Sequence, residues 1–389
     1  MASSIPPKTP DPVIVIADDL SGAAELAAIA FARGFSAEVQ RQFEPTSDAD
    51  VIAVDTDSRG LSPEAAAQRV EDVTRAVVAA RPAWIYKKVD SVLRGNVRAE
   101  IEAVVRVVAR DSVAAIPSRS GWLRVLLIPA NPSRGRTIVG GRLLIDGVPL
   151  DQTPFRDDPD HPRQSSLVSE LLGPGDWIDV PDVADLETLQ RYAATVDSDT
   201  LPAGAADFFA ALLDARGARE GKAVPAAQPV SIRRPAVLVC GSRAAWKSRQ
   251  LQCAASDIPI WLVPEPFEDV GALVRRAAGE LAAHGSLAVA IGDSFNRGRE
   301  SNEFLPRLAT FVAMLLEVAP VATILAEGGA TATAVAERLD WNHFRVVQTA
   351  PAGVGALQPI DSVAAPLFLI KPGSYAWPEE IWRQITQPE

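Results

Sequence analysis

Two short stretches concentrate the side chains able to do chemistry: Asp18-Asp19-Leu20-Ser21-Gly22 and Lys88-Val89-Asp90-Ser91-Val92-Leu93-Arg94-Gly95-Asn96, each directly after an apolar run. Adjacent carboxylates at a strand end, beside a helix start, can accept a proton from a hydroxyl or hold Mg²⁺. Helix capping by Asp19 or Ser21 is the alternative, and it accounts for one of these groups but not for two acids and a Ser-Gly pair. The second stretch, with Lys87 before it, sets cations, a carboxylate, a hydroxyl and an amide within ten residues. Arg offers a planar fork matched to a carboxylate, and Lys a point charge. Gly95 lets a ligand approach the backbone closely. A small anionic substrate fits this set.

Other loops carry fainter signals. Asp55-Thr56-Asp57-Ser58-Arg59-Gly60 reads by itself as a polar turn. Pro129 to Thr137 is a stiff loop carrying Arg134 and Arg136, and Arg156 to Pro162 another, in which His161 reads as a surface histidine. In the second half, Cys240-Gly241-Ser242-Arg243 and Glu327-Gly328-Gly329-Ala330-Thr331 each stand between a strand and a helical stretch. Free N–H groups and the dipole of a helix start favour phosphate there. Either segment alone could be a tight turn, but two such segments in one half favour nucleotide binding. Lys371-Pro372-Gly373-Ser374-Tyr375 can add a further loop to that site.

Elements of one kind must position all of these residues. Short β-branched runs at 13–17, 51–54, 84–87 and 125–129 alternate with Ala-rich stretches of helical spacing, and the second half repeats the pattern. Near-continuous apolar strands separated by helices indicate parallel sheets covered on both faces, whose ligands bind beyond the carboxyl ends of the strands. The chain has 389 residues, which exceeds what one core sustains. A small, polar, proline-bearing stretch at 215–229 has linker composition. The expectation is an N-terminal domain over 1–225 and a C-terminal domain over 234–389, each doubly wound α/β.

Composition excludes several classes. A net charge of -11 disfavours nucleic-acid and anionic-membrane surfaces, which need a basic face. Two cysteines and three histidines without ligand spacing give no zinc site, and Cys240 reads as a buried thiol. There is no Walker A motif, no G-x-G-x-x-G opening a helix, and no G-x-S-x-G elbow. The missing dinucleotide fingerprint sets aside a dehydrogenase. The start of the chain lacks the basic-then-apolar pattern of a signal peptide, and no apolar run reaches transmembrane length, so a cytoplasmic protein is expected.

Taken in order, these segments resemble the four-carbon acid sugar kinase family, ATP-dependent enzymes that phosphorylate tetronate-type sugar acids. Asp18-Asp19-Leu20-Ser21-Gly22-Ala23 is similar to the family's D-D-x-T-G-A, with Ser for Thr. Lys88 to Asn96 resembles K-x-D-S-T-L-R-G-N, with Val92 for Thr. Asp55 to Arg59, Pro129 to Arg136 and Asp158 to Ser165 resemble three further elements. In the second half, Gly241-Ser242 resembles a G-S segment, Gly328 to Thr331 resembles G-G-[DE]-[TS] with Ala330 in place of the acid, and Lys371-Pro372-Gly373 resembles K-x-G.

The resemblance implies two mainly parallel-sheet domains with an active-site cleft between them, a sugar acid held by the first and ATP with Mg²⁺ by the second. It implies catalytic roles for Asp18, Asp19, Asp90 and Arg94, with one of the aspartates as base. Ser21, Arg59, Lys88, Ser91, Gly95, Asn96 and Arg136 would bind substrate. Ser242, Gly328, Gly329, Ala330, Thr331 and Gly373 would bind ATP. A homo-oligomer is compatible with the sequence. The competing reading is a non-catalytic sensor of sugar acid or nucleotide descended from such a kinase.

Overall fold

A computed structural model describes residues 11–111, 124–158, 160–173, 177–216, 228–241, 243–263, 270–291, 301–351, 353–362, 364–373 and 375–386. Ser242 and most of the expected linker lie outside the described residues. The chain divides into two compact units. The first comprises Met1–Asp18, Phe35–Ala37 and Gln42–Ala223, and the second Asp19–Gly34, Glu38–Arg41 and Val224–Glu389. The units thus separate Asp18 from Asp19, a division that no composition shift announces.

In chain order, β1 (Val13–Ala17) leads into α1 (Leu20–Ala32) and β2 (Ala37–Gln40). Then come β3 (Val51–Asp55), α2 (Pro63–Ala79), β4 (Trp84–Lys88), α3 (Val97–Asp111) and β5 (Arg124–Ile128). An inserted antiparallel sheet of β6 (Arg136–Val139), β7 (Arg142–Ile145) and β8 (Val148–Pro149) follows. The N-terminal half ends with α4 (Val168–Leu172), β9 (Ile178–Asp179), α5 (Leu186–Ala193), β10 (Thr200–Gly204) and α6 (Ala206–Arg216).

In the first unit the strands run parallel in the order β3-β1-β4-β10-β5-β9. Every residue of β1 and β3 is buried, as continuous apolar strands covered on both faces must be. Register aligns Ala17 with Asp55 and Ile16 with Lys87, so the loops starting at Asp18, Thr56 and Val89 leave one edge of the sheet together. Helix α2 shows why local sequence sets its start: Ser62 caps the Ala65 N–H, Pro63 opens the first turn and Glu64 complements the dipole.

The second half of the chain continues with β11 (Ala236–Cys240), α7 (Arg243–Ala255), β12 (Ile260–Leu262), α8 (Val270–His284), β13 (Ser286–Ala290) and α9 (Ser301–Val318). It closes with β14 (Thr323–Glu327), α10 (Gly329–Arg338), β15 (His343–Gln348), β16 (Gly355–Pro359), β17 (Leu367–Lys371) and α11 (Glu379–Thr386). Strands β12-β13-β11-β14-β17 are parallel. Beyond them, β16, β15 and β2 add an antiparallel arm.

Helix α1 belongs to this second unit although it follows β1 directly in sequence. Its run of Ala and Gly leaves it buried almost all round, and β16 packs so close that a Cβ on Gly355 would lie 2.8 Å from Ala24 Cβ. Among the described residues no helix is long and apolar enough to cross a membrane. Cys240 and Cys253 are buried free thiols, and burial pushes Cys253 up to about 11.

Candidate functional site

The loops at the carboxyl edge of the first sheet converge into a cluster of paired charges. Arg59, from the loop after β3, grips Asp18 with both arms of its guanidinium (Nε to Oδ2 2.6 Å, Nη2 to Oδ1 2.9 Å). Arg94 grips Asp90 in the same way, at 3.0 and 2.9 Å. Asp90 Oδ2 also accepts the N–H groups of Val92 and Arg94 at 3.2 Å each. One carboxylate therefore shapes the turn and aims the arginine it carries. Arg94 reaches Asp158 as well, at 3.5 Å, and its guanidinium lies 5.7 Å from the Phe155 ring centre. Arg136 shares that ring at 5.9 Å and donates to Ser91 Oγ.

The turn from Asp90 to Asn96 holds unusual backbone. Leu93 takes φ +59, a left-handed conformation costing a branched residue of the order of 1 kcal/mol or more. Arg163 Nη1 holds its carbonyl at 2.8 Å. Gly95 takes φ +85, and a Cβ there would press on Arg59 Cγ at 3.0 Å, with Asp18 Oδ2 at 3.5 Å. Asn96 donates to the carbonyls of Leu61 (2.8 Å) and Ser58 (3.4 Å), tying this turn to the one that carries Arg59. Lys88 Nζ is buried and donates to Val89 O at 2.8 Å.

Burial alone would raise both aspartates. Against it, Arg59, Lys87 and Lys88 hold the Asp18 carboxyl below its usual range. Arg94, with Arg59 and Arg136, holds Asp90 well below it. Both are carboxylates at neutral pH. Burial, then Arg163, Arg59 and Arg94, lower His161, so its ring is neutral there. Deeper down, Lys87 pairs with Glu100 at 2.8 Å, and burial raises that carboxyl above its usual range. Lys87 is thus spent inside the core, whereas Arg59, Arg94, Arg136, Arg163 and Lys88 face Asp18, Asp90 and Asp158. Five cations face these three carboxylates, and with Asp55, buried at the end of β3, the carboxylates number four, which still leaves a positive excess. Sequence reasoning missed Arg163 and Phe155; their signal was their place in the proline-bearing loop that follows β8.

The second unit holds a different arrangement. Asp19 caps α1, accepting from Gly22 N at 2.9 Å and Ser21 Oγ at 2.6 Å. Capping is therefore a real role for this pair. The Asp19 carboxylate also packs against Gly329 at the start of α10, where any Cβ would overlap it. Only glycine fits. Gly328, Gly329, Thr331 and Gly373 come together: Gly328 N donates to Lys371 O at 2.9 Å, and a Cβ on Gly328 would lie 3.8 Å from Gly373 Cα. Thr331 is buried beside Gly241, while Ala330 is exposed on the first turn of α10. Among the described residues there is no group of three or more His, Cys, Asp or Glu that could hold a metal.

A model of the sugar-binding N-terminal domain matches residues 13–242. The chain is 35% identical to a D-erythronate kinase of Heliobacterium modesticaldum over 165 residues, 41% of this chain and 35% of that protein's length. To a D-threonate kinase of Salmonella typhimurium it is 26% identical over 383 residues, covering 86% of this chain and 88% of the relative. A solved structure from Salmonella typhimurium LT2 superposes with a TM-score of 0.71 at 18% identity, over 97% of this chain and 100% of that one. At that identity the likeness concerns the fold.

Proposed function

We propose, from the premise that this chain belongs to the sugar-binding N-terminal domain family and to the four-carbon acid sugar kinases, that it uses ATP to phosphorylate a hydroxyl of erythronate, threonate or an oxo-tetronate. The observation that carries the reading is the excess of cations at the carboxyl edge of the first sheet, where Arg94 and Arg59 are each preset by a bidentate aspartate. Such a surface fits a small carboxylate substrate, and the preset forks spare it the entropy of ordering two long side chains.

In this reading Arg94, Lys88, Arg136 and Arg163 take the sugar-acid carboxylate, and Gly95 lets the carbon chain lie against backbone. Ser91 and Asn96 fix the arginine-bearing turns. Asp90 is committed to Arg94 as its orienting partner, and its depressed pKa makes it a weak base. Asp18 is gripped by Arg59 in the same way but is lowered less than Asp90, and we assign it to orient the acceptor hydroxyl and receive its proton. A modest base suffices, because phosphoryl transfer depends mainly on positioning and charge neutralisation.

The first turn of α10, from Gly329 to Thr331, with Gly373 beside it, offers backbone N–H groups to the ATP phosphates, Gly328 shapes that turn through its bond to Lys371 O, and Ser242 is proposed to join them. A magnesium ion carried mainly by phosphates and water needs only one or two protein carboxylates, and Asp19, which packs against Gly329, would be the one to hold it. That ion would neutralise charge on the phosphate oxygens. Bonds from Gly22 N and Ser21 Oγ hold the Asp19 carboxylate in one orientation while it caps α1.

The test is to incubate the folded protein with ATP, Mg²⁺ and a panel of four-carbon sugar acids and follow ADP. ADP formed with one or more of them is expected. Sugar-acid binding by calorimetry without turnover would replace the kinase with a sensor.

A further inference from the structure

We propose that Arg249, Glu327 and Lys371 form a buried positioning network that sets the two glycine turns, at Gly328–Gly329 and Gly373, for the phosphates of ATP. This rests on the nucleotide reading above and assigns residues that touch no ligand themselves.

Glu327 ends β14 and Lys371 ends β17, and the two are register partners on adjacent strands. Each stands immediately before a turn assigned to ATP. Lys371 Nζ spends three donors at once, on Glu327 Oε1 at 2.7 Å, Tyr375 O at 2.6 Å and Pro372 O at 3.2 Å. It therefore staples the segment after β17 to the end of β14. Arg249, from α7, closes the set with a bidentate grip on Glu327 (Nε to Oε2 3.0 Å, Nη2 to Oε1 2.8 Å). Both cations are backed by indoles: Arg249 lies 4.9 Å from the Trp382 ring centre and Lys371 5.3 Å from that of Trp377.

The side chains of Arg249, Glu327 and Lys371 are 3%, 0% and 1% exposed. Taking three charges out of water is expensive, and apolar replacements of buried ion groups are often as stable or more so. Stability alone therefore gives no reason for such a network, whereas its bonds to the backbone of one proposed phosphate turn and its place next to the other do. Its charge does not cancel either. Two cations against one carboxylate leave a net positive centre beneath two turns that would receive an anion.

The experiment compares wild type with Lys371→Met and Lys371→Arg in the full chain. It measures ATP binding by calorimetry, KM for each substrate, kcat and melting temperature. Lys371→Met should fold, weaken ATP binding and raise its KM about tenfold or more, and leave sugar-acid KM within about twofold. Lys371→Arg, which keeps the charge, should recover part of the ATP affinity. If Lys371→Met does not fold, Arg249→Lys decides, with the same selective rise in ATP KM expected. A folded variant with wild-type ATP affinity, or one that loses both substrates equally, overturns the network. Absence of ATP binding in the wild type would instead overturn the nucleotide reading itself, so the two failures are distinguishable.

Discussion

The two units use the same chemical types in opposite ways. Around Asp18 and Asp90, guanidiniums pair with carboxylates yet stay partly open, with Arg59 19% and Arg94 17% exposed. Around Glu327 the pairing is sealed, and every charged group is buried inside the protein. Both clusters lower a carboxylate against the pull of burial. The difference is what remains available: the first leaves guanidinium faces for a ligand, the second leaves the shape of two turns and the uncancelled positive charge beneath them. Openness, rather than the presence of ion pairs, separates a binding cluster from a scaffolding one. That contrast can be broken by mutation.

The largest effect is expected at Arg94. Arg94→Ala should cut kcat/KM for the sugar acid by about 10²–10³, the usual cost of removing one preset donor, while ATP affinity stays near wild type. Because the substitution strands Asp90, the double variant Arg94→Ala/Asp90→Asn serves as control. It should regain thermal stability but not activity. Equal loss of sugar-acid and ATP binding would show that the open cluster is scaffold after all. Next comes Gly329→Ala, whose Cβ would overlap the Asp19 carboxylate. Displacing Asp19 should lower kcat by about 10²-fold and unsettle the start of α1. Wild-type kinetics in this variant would separate Asp19 from the chemistry.

The sequence made the open cluster legible because it is local. Asp90, Ser91, Arg94, Gly95 and Asn96 lie within one turn, and parallel register carries Asp18 and Arg59 to the same sheet edge. The sealed cluster was hidden because its members stand at 249, 327 and 371, united only by strand pairing and helix packing. Nor did composition foretell that α1 joins the second unit, since an Ala-rich helix with apolar residues on most of its surface names no partner. Strands were read where β-branched runs are dense. β10, with Pro202 and Gly204, and β16, opening on Gly355 and closing on Pro359, escaped because those residues ordinarily signal turns. The antiparallel arm of β15 and β16 depends on tertiary pairing that periodicity does not report.

Acid titration probes the comparison more gently. The folded pKa of Asp90 lies well below the unfolded value of about 3.9. The pair therefore contributes stability that is fully present above that unfolded value and is lost as pH falls through the folded one. Melting temperature should be insensitive to this group between about pH 5 and 7 and should drop below about pH 4. Asp90→Asn should flatten part of that acid limb. If its melting curve instead runs parallel to wild type across the acid range, the Arg94–Asp90 pair is not coupled to folding.

The smallest effect should come from Ala330→Asp, which asks whether the first turn of α10 meets ATP through backbone or through side chains. Ala330 is exposed, with the packed atoms of the turn, Gly329 and Thr331, on either side of it in sequence. An acid in a first helical turn gains about 0.3–1 kcal/mol from the dipole. Melting temperature should therefore rise by about 1–4 °C. If phosphates rest on N–H groups alone, a carboxylate directed to solvent should change ATP KM by less than about threefold, because exposed charges are strongly screened. A loss of ATP affinity by about tenfold or more would place the side chain at 330 against the phosphates, and the turn would have to be counted with the open cluster.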